Sequence, residues 1–478
     1  MITGFKNTQL DEAVVSAGDF TVRGGRHLLR YTGNRDRVSV PEGIVSIGTG
    51  AFRNDLKLTA VKLPESTETV ERLAFAGCNN LRTVSVPETL ADIHFRAFAD
   101  CVSLVEFRSY RCSEKNFLRA AKARTYAGSC IFTEAFMNCT ALKYADIPNF
   151  EKIDSRAFCG CESLSVINLP PTLKKIGSRA FFGCKNLRRI VLPSMLTDIE
   201  SSAFDECSRL TYFDVNKNNP VYVSDNGLLC SRTSRAFNGT GRDLLAVPCG
   251  ITGELILSDR INSTEEASFA DCRLSKLVIS GSVKRIGKKT FRNCSSLKEI
   301  YLYADTLKLI EKQAFSGCEN ACVFVCGSNG NIRYMLDLGS DPALRQNEWT
   351  EIHLKYPQVL LSRLTERKAK TGIVLSCLNY GSADTKETES QYKKYIAENA
   401  DEAVRYAVDH GSMKYLEICI SCGALRMNRI DEYIEYCAEN EKTEFTAFFM
   451  NYKYKKSDHP AEKDDEYDIY GDLDLGDL

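Results

Sequence analysis

LSVINLPPTLKKIGSRAFFGC, residues 164–184, is followed after two residues by LRRIVLPSMLTDIESSAFDEC, residues 187–207. Both copies set leucine and isoleucine at the same offsets, a proline directly after Leu169 or Leu192, and a phenylalanine three residues before a cysteine. Each copy opens with period-2 alternation, as in Ile190-Val191-Leu192, the pattern of a short strand with one apolar face. Proline has no N–H to give to a sheet ladder, so Pro170 and Pro193 mark where the chain leaves the strand to turn. The phenylalanine recurs as Phe52, Phe75, Phe98, Phe136, Phe158, Phe181, Phe204, Phe269, Phe291 and Phe315, most steps being 22 to 24 residues. Units this short cannot bury an apolar side alone and must stack on their neighbours, which predicts a solenoid.

The full pattern, L-x-x-I-x-L-P-x-x-L-x-x-I-x-x-x-A-F-x-x-C-x-x-L, resembles the leucine-rich repeats of the BspA type over roughly residues 38 to 326. The resemblance implies an α/β-type solenoid, a right-handed superhelix with short strands on its concave face and irregular or helical turns on its convex face. It associates the chain with binding and adhesion, although a fold never fixes what is bound. Three departures stand out. The 38-residue step from Phe98 to Phe136 reads as the insertion of about half a unit and carries Arg108, Arg111, Lys115, Arg119, Lys122 and Arg124. The 65-residue step from Phe204 to Phe269 leaves room for a hairpin-like unit around residues 221–247, with Asp225-Asn226-Gly227 as its turn. The first copy has Asp55 where later copies have cysteine, the mark of a capping unit with one wet face.

The expected organisation is an N-terminal cap at 1–37, the repeat array at 38–340, a helical module at 341–457 and a disordered acidic tail at 458–478. Beyond Trp349 the period stops, and residues 358–367 and 429–438 show helical spacing. Residues 400–425 resemble a degenerate ankyrin-type helix pair without its T-P-L-H phrase. The tail holds nine acidic residues against Lys463, a charge of about −8, so a chain summing to −1 has a basic body. Low hydrophobicity with high charge predicts disorder in the tail, which is expected to contact the basic solenoid.

No apolar run approaches the roughly 18 residues of a membrane span. Lys6, Asp11 and Glu12 stand where a signal peptide would carry its apolar core, and export is not expected. Of 20 cysteines, Cys78, Cys101, Cys139, Cys161, Cys184, Cys207, Cys272, Cys294 and Cys318 share one repeat position. A residue recurring once per turn forms a buried column, where cysteine behaves as a small hydrophobe, and so many free thiols fit a reducing cytoplasm.

Phosphate-cradling, zinc-protease and nucleophile-elbow motifs are absent, and the five histidines lie far apart in sequence. Cys419 and Cys422 form one C-x-x-C, without the second pair or βαβ context of a zinc or redox site. Core packing is the expected role for them and for Cys318, Cys322 and Cys326, and neither a cofactor nor a metal is expected. Strand alternation turns one row through Tyr144, Arg189, Tyr212 and Glu299, and a parallel row through Asp214 and Tyr301, onto the outer sheet face. Tyrosine and arginine dominate binding hot spots, whereas tyrosine also suits an ordinary solvated strand. The arginines near residue 30 and the basic insertion form an anion patch. Nucleic acid is the weaker reading of it, since no nucleic-acid module is recognisable.

The sequence therefore predicts a cytoplasmic, non-enzymatic scaffold that binds a protein partner on the concave repeat face. An exported surface adhesin and an enzyme or metal protein using Cys419 and Cys422 are the alternatives.

Overall fold

The computed structural model describes residues 14–113, 128–234, 241–383 and 385–458. Two compact units divide the chain: one reaches Asn331 and also holds Asp337–Arg363, and the other comprises Ile332–Leu336 and the residues from Leu364 onward.

The first unit is the solenoid. Each turn contributes one longer strand to one parallel sheet; Arg37–Ser39, Ala60–Lys62, Thr83–Pro87, Glu106–Tyr110, Tyr144–Asp146 and Val166–Asn168 lie side by side in that order. The opposite side of the turns carries a second, thin parallel sheet of two-residue strands, among them Ser46–Ile47, Thr69–Val70, Asp92–Ile93 and Cys130–Ile131. Antiparallel strands Val14–Ala17, Phe20–Arg23 and His27–Tyr31 start this thin sheet.

A third ladder runs through the Ala-Phe corner. The Phe75 amide donates to the Ala97 carbonyl at 2.7 Å, Phe98 to Ala135 at 2.8 Å, Phe136 to Ala157 at 2.7 Å and Phe158 to Ala180 at 2.8 Å. To present these amides the chain takes a left-handed residue two positions before each phenylalanine, filled by Leu73, Arg96, Glu134, Arg156, Arg179 and Ser202. Such a conformation costs an L-residue about 1–2 kcal/mol. The ladder offsets it, since Leu73 also donates to Phe95 and Gly77 to Ala99.

Strand spacing of roughly 4.8 Å sets the repeat between identical side chains on adjacent turns. The rings obey it: from Phe52 to Phe204 successive centroids lie 4.8 to 5.5 Å apart with planes within 10°. Tyr31 closes one end of the column against Phe52, and Trp349 closes the other against Phe315. Beside the rings runs the cysteine column. All but Cys272 of the nine repeat-position thiols donate to the phenylalanine carbonyl one turn back, as in Cys78 to Phe52 at 3.0 Å, Cys139 to Phe98 at 3.1 Å and Cys294 to Phe269 at 3.0 Å. Asp55, in the first copy, instead accepts from the amides of Lys57 and Leu58. All twenty cysteines are free.

The two long steps resolve differently. Across the 38-residue step no rung is added among the described residues: Phe98 donates to Ala135 and Glu106 pairs with Tyr144, while residues 114–127 lie outside the described residues. The 65-residue step contains the anticipated hairpin, Tyr222–Asp225 against Leu228–Ser231, with Asn226 and Gly227 both left-handed as a type I′ turn requires. Arg242–Ala246 returns the chain to the parallel ladder with Ile261–Thr264. It also supplies a turn that the phenylalanine count misses. Val247 donates to Ser268 and accepts from the Cys272 thiol, placing it in the phenylalanine column, and Cys249 lies in the cysteine column.

The second unit is helical: Arg367–Asn379, Lys386–Glu398, Ala400–Asp409, Met413–Ser421, Ile430–Glu439 and Thr443–Asp458. The expected helix at 358–367 breaks instead into Pro357–Leu361 and the helix beginning at Arg367, where the Ser362 hydroxyl bonds the Val359 carbonyl. The helices at Asn379, Asp409, Ser421 and Glu439 end in the same double-bonded cap, such as Ser412 N–H to Ala407 and Gly411 N–H to Val408. Its left-handed residue is Gly381, Gly411, Gly423 and, in the last, Glu441. Glu441 is exposed, so Glu441→Gly is expected to raise stability by about 1 kcal/mol. A urea midpoint at or below wild type would contradict this.

Candidate binding surface

On the longer-strand sheet the alternation is as read: Ala145, Ile167, Ile190, Phe213, Leu277 and Ile300 are buried, and their neighbours point outward. Register places Tyr144 beside Glu106 and Val166, Arg189 beside Tyr212, Asp214 beside Val191, and Glu299 beside Lys276.

These residues gather into three clusters. In the first, Arg108 bonds Glu106 at 2.8 Å and lies 4.8 Å above the Tyr144 ring. Asn168 donates to the Tyr144 hydroxyl at 2.9 Å and to Asp146 at 3.3 Å. The Arg108 hydrogen bond holds the Glu106 carboxyl below its usual range. In the second, Arg189 pairs with Asp214 and lies 5.6 Å from the Tyr212 ring. Tyr212 rests against Gly227, where a Cβ would come within 2.7 Å of the ring. In the third, Lys276 lies 5.3 Å over Tyr301, whose hydroxyl donates to Glu299 at 3.1 Å and whose ring stacks on Phe324 at 4.8 Å. Each cluster repeats one device, a cation over a tyrosine ring with a carboxylate beside it. Such packing fixes long side chains before anything binds, so less rotamer entropy is lost on contact.

The rows are not one continuous line. Arg189–Leu192 and Tyr212–Val215 form a sheet of two strands, and a new sheet begins at Thr252–Ile256, because the hairpin intervenes. Asn168, Asp146, Lys276 and Phe324 belong to the clusters although they were not singled out from sequence; their positions in the same outward rows were the available signal. Of the basic insertion, Arg108 is neutralised by Glu106 and Arg111 is exposed. Lys115, Arg119, Lys122 and Arg124 lie outside the described residues, as does the tail beyond Asp458 with its expected contact to the solenoid.

The C-x-x-C pair sits at a helix end. Cys419 is fully buried and Cys422 half-buried; burial pushes both thiols up, Cys322 is pushed up to about 11, and Cys326 rises as well. A raised thiol resists forming the thiolate that metal binding and nucleophilic chemistry use. No group of three or more His, Cys, Asp or Glu among the described residues could hold a metal ion.

Compared with known proteins, the chain matches the family profile described as BspA type leucine rich repeat region, in six copies, over residues 25–115, 129–229 and 249–336. No curated protein matches significantly. Among solved structures, a leucine rich cell surface protein from Faecalibacterium prausnitzii is 20% identical, with 66% of this chain and 95% of that one covered and a TM-score of 0.46. A leucine-rich repeat protein from Bacteroides ovatus is 20% identical, with 66% and 81% covered and a TM-score of 0.41. One from Eubacterium ventriosum is 18% identical, with 62% and 69% covered and a TM-score of 0.42. The cytoplasmic location expected above is overturned by the match to the BspA type leucine rich repeat region. The nine thiols at the shared repeat position report column packing, since each is buried and has a carbonyl partner one turn away.

Proposed function

The chain belongs to the BspA type leucine-rich repeat family, and from that premise we propose that it is a non-enzymatic binding protein whose longer-strand face receives a protein partner. The observation that carries this reading is the recurrence of a cation packed over tyrosine on an otherwise open sheet, in the three clusters at Arg108–Tyr144, Arg189–Tyr212 and Lys276–Tyr301 and again at Lys62–Tyr110. Between the first two clusters the face also exposes Val166 and Val191, at 46% and 53%. Apolar surface framed by rigid aromatic and arginine anchors is the composition of an interface centre.

The test compares the intact chain with a Tyr144, Arg189, Tyr212 and Tyr301 alanine variant, each immobilised and challenged with extract from the source organism. Truncating a hot-spot residue costs 2 kcal/mol or more, so each substitution weakens a partner by about 30-fold. Proteins retained by the intact chain are expected to be lost from the variant while its circular dichroism is unchanged. Identical retention by both would refute this face as the site.

A further inference from the structure

The aromatic column is interrupted once, where Val247 takes the place of a phenylalanine, and the space is not refilled. Phe204 and Phe269 end the two ring stacks on either side, and a cavity of about 300 Å³ opens beside Phe204 and Val247. That size is at the lower end of small-molecule sites. Its floor is apolar, with Phe204, Phe213, Leu245 and Val247.

The wall has two features that packing alone does not account for. Its charged members are Asp198, Glu200, Asp205, Asp243, Glu265 and Glu266, all acidic, with no lysine or arginine among the lining residues. Lys175, Arg292 and Arg285 approach four of these carboxylates from outside the wall. Asp243 is 1% exposed and is held by the hydroxyls of Ser234 and Ser263 at 2.6 and 2.5 Å. Second, Ser268 stands where eight of the ten copies have alanine before phenylalanine. It lines the cavity, is 2% exposed, and its hydroxyl has no hydrogen-bond partner among the described residues. A buried hydroxyl without a partner is costly, and alanine would fit this position in the repeat without that cost.

We propose that the cavity is a binding site for a small organic cation, an aralkyl- or alkylammonium ion. Its hydrocarbon body replaces the missing ring against Phe204, Phe213 and Val247, and its ammonium group faces the acidic wall and Ser268. Charge-assisted hydrogen bonds and the aromatic faces both favour such a head group over a neutral or anionic one. The site is distinct from the outer sheet face and does not depend on it.

Phenethylammonium serves as the probe, titrated calorimetrically into the full chain, with 2-phenylethanol and 3-phenylpropionate as neutral and anionic controls. One saturable site per chain is expected, with both controls bound at least about tenfold more weakly, the difference of one charge-assisted contact. Val247→Phe restores the ring and is expected to weaken phenethylammonium at least about tenfold. Ser268→Ala, the residue of eight other copies, keeps the fold and is expected to weaken it about threefold to tenfold. The proposal is overturned if phenethylammonium shows no saturable binding, if 3-phenylpropionate binds equally well, or if Ser268→Ala retains wild-type affinity.

Discussion

Replacing Phe158 by alanine is expected to destabilise the solenoid by about 3–5 kcal/mol, the range for a fully buried phenylalanine cut to alanine. Phe158 is 0% exposed and lies between Phe136 at 4.9 Å and Phe181 at 5.5 Å, its plane within 6° of both. The neighbouring rings are held by their own amide ladder, with Phe136 bonded to Ala157 and Phe181 to Ala203, so they cannot slide together to close the gap. The Phe158 carbonyl also accepts the Cys184 thiol, and burial keeps that thiol protonated. In a nearly one-dimensional array the loss falls on adjacent interfaces and divides the solenoid into parts that unfold separately. Urea unfolding followed by circular dichroism measures the loss, and hydrogen exchange at the Ala-Phe amides locates it. A loss below about 1 kcal/mol would show that the ring column is not what holds the turns together. Phe204→Ala is expected to cost less, because Phe204 borders the cavity and already has a ring on one side of the column only.

Asn219→Leu is expected to cost about 4 kcal/mol and to loosen the hairpin that interrupts the repeat. Asn219 is 1% exposed and answers four backbone groups at once. Its amide nitrogen donates to the carbonyls of Pro193 and Leu196, both at 2.8 Å, and its oxygen accepts from Val221 at 2.9 Å and Tyr222 at 2.7 Å. Leucine matches the shape but takes that partner from the Leu196 carbonyl and the Val221 and Tyr222 amides, each costing about 1–3 kcal/mol before relaxation, while the Pro193 carbonyl still accepts from the Leu196 amide. Asn219→Asp keeps the acceptor and loses the donors, so an intermediate loss is expected. Chemical denaturation of the three proteins checks the order. A leucine variant as stable as wild type would show that the hairpin is held by its strand pairing alone.

How much of this was legible from sequence follows from how local each feature is. The second long step carried its own turn, Asp225-Asn226-Gly227, and the hairpin is there. The first long step carried only length and charge, and length does not say whether a rung is added; the pairing of Glu106 with Tyr144 shows that the strands on either side of it are direct neighbours. Trp349 marks where the period ends, yet it packs on Phe315 and closes the ring column. The cations over Tyr144, Tyr212 and Tyr301 come from the neighbouring turn in each case, and only the register brings them together.

The repeat, its apolar columns and the outward rows were written in the chain, because a unit of about 23 residues with one apolar side has no way to hide it except against a copy of itself. Cysteine at a fixed offset could only be a column, and it is one. Which turns exist, and where they part, was decided in three dimensions. Val247 and Cys249 complete a turn without the Ala-Phe phrase, since the column asks only for an amide, a carbonyl and an apolar side chain at that height. The smaller side chain that hides this turn from the repeat pattern is also what leaves the cavity, a consequence of packing between residues more than forty positions apart.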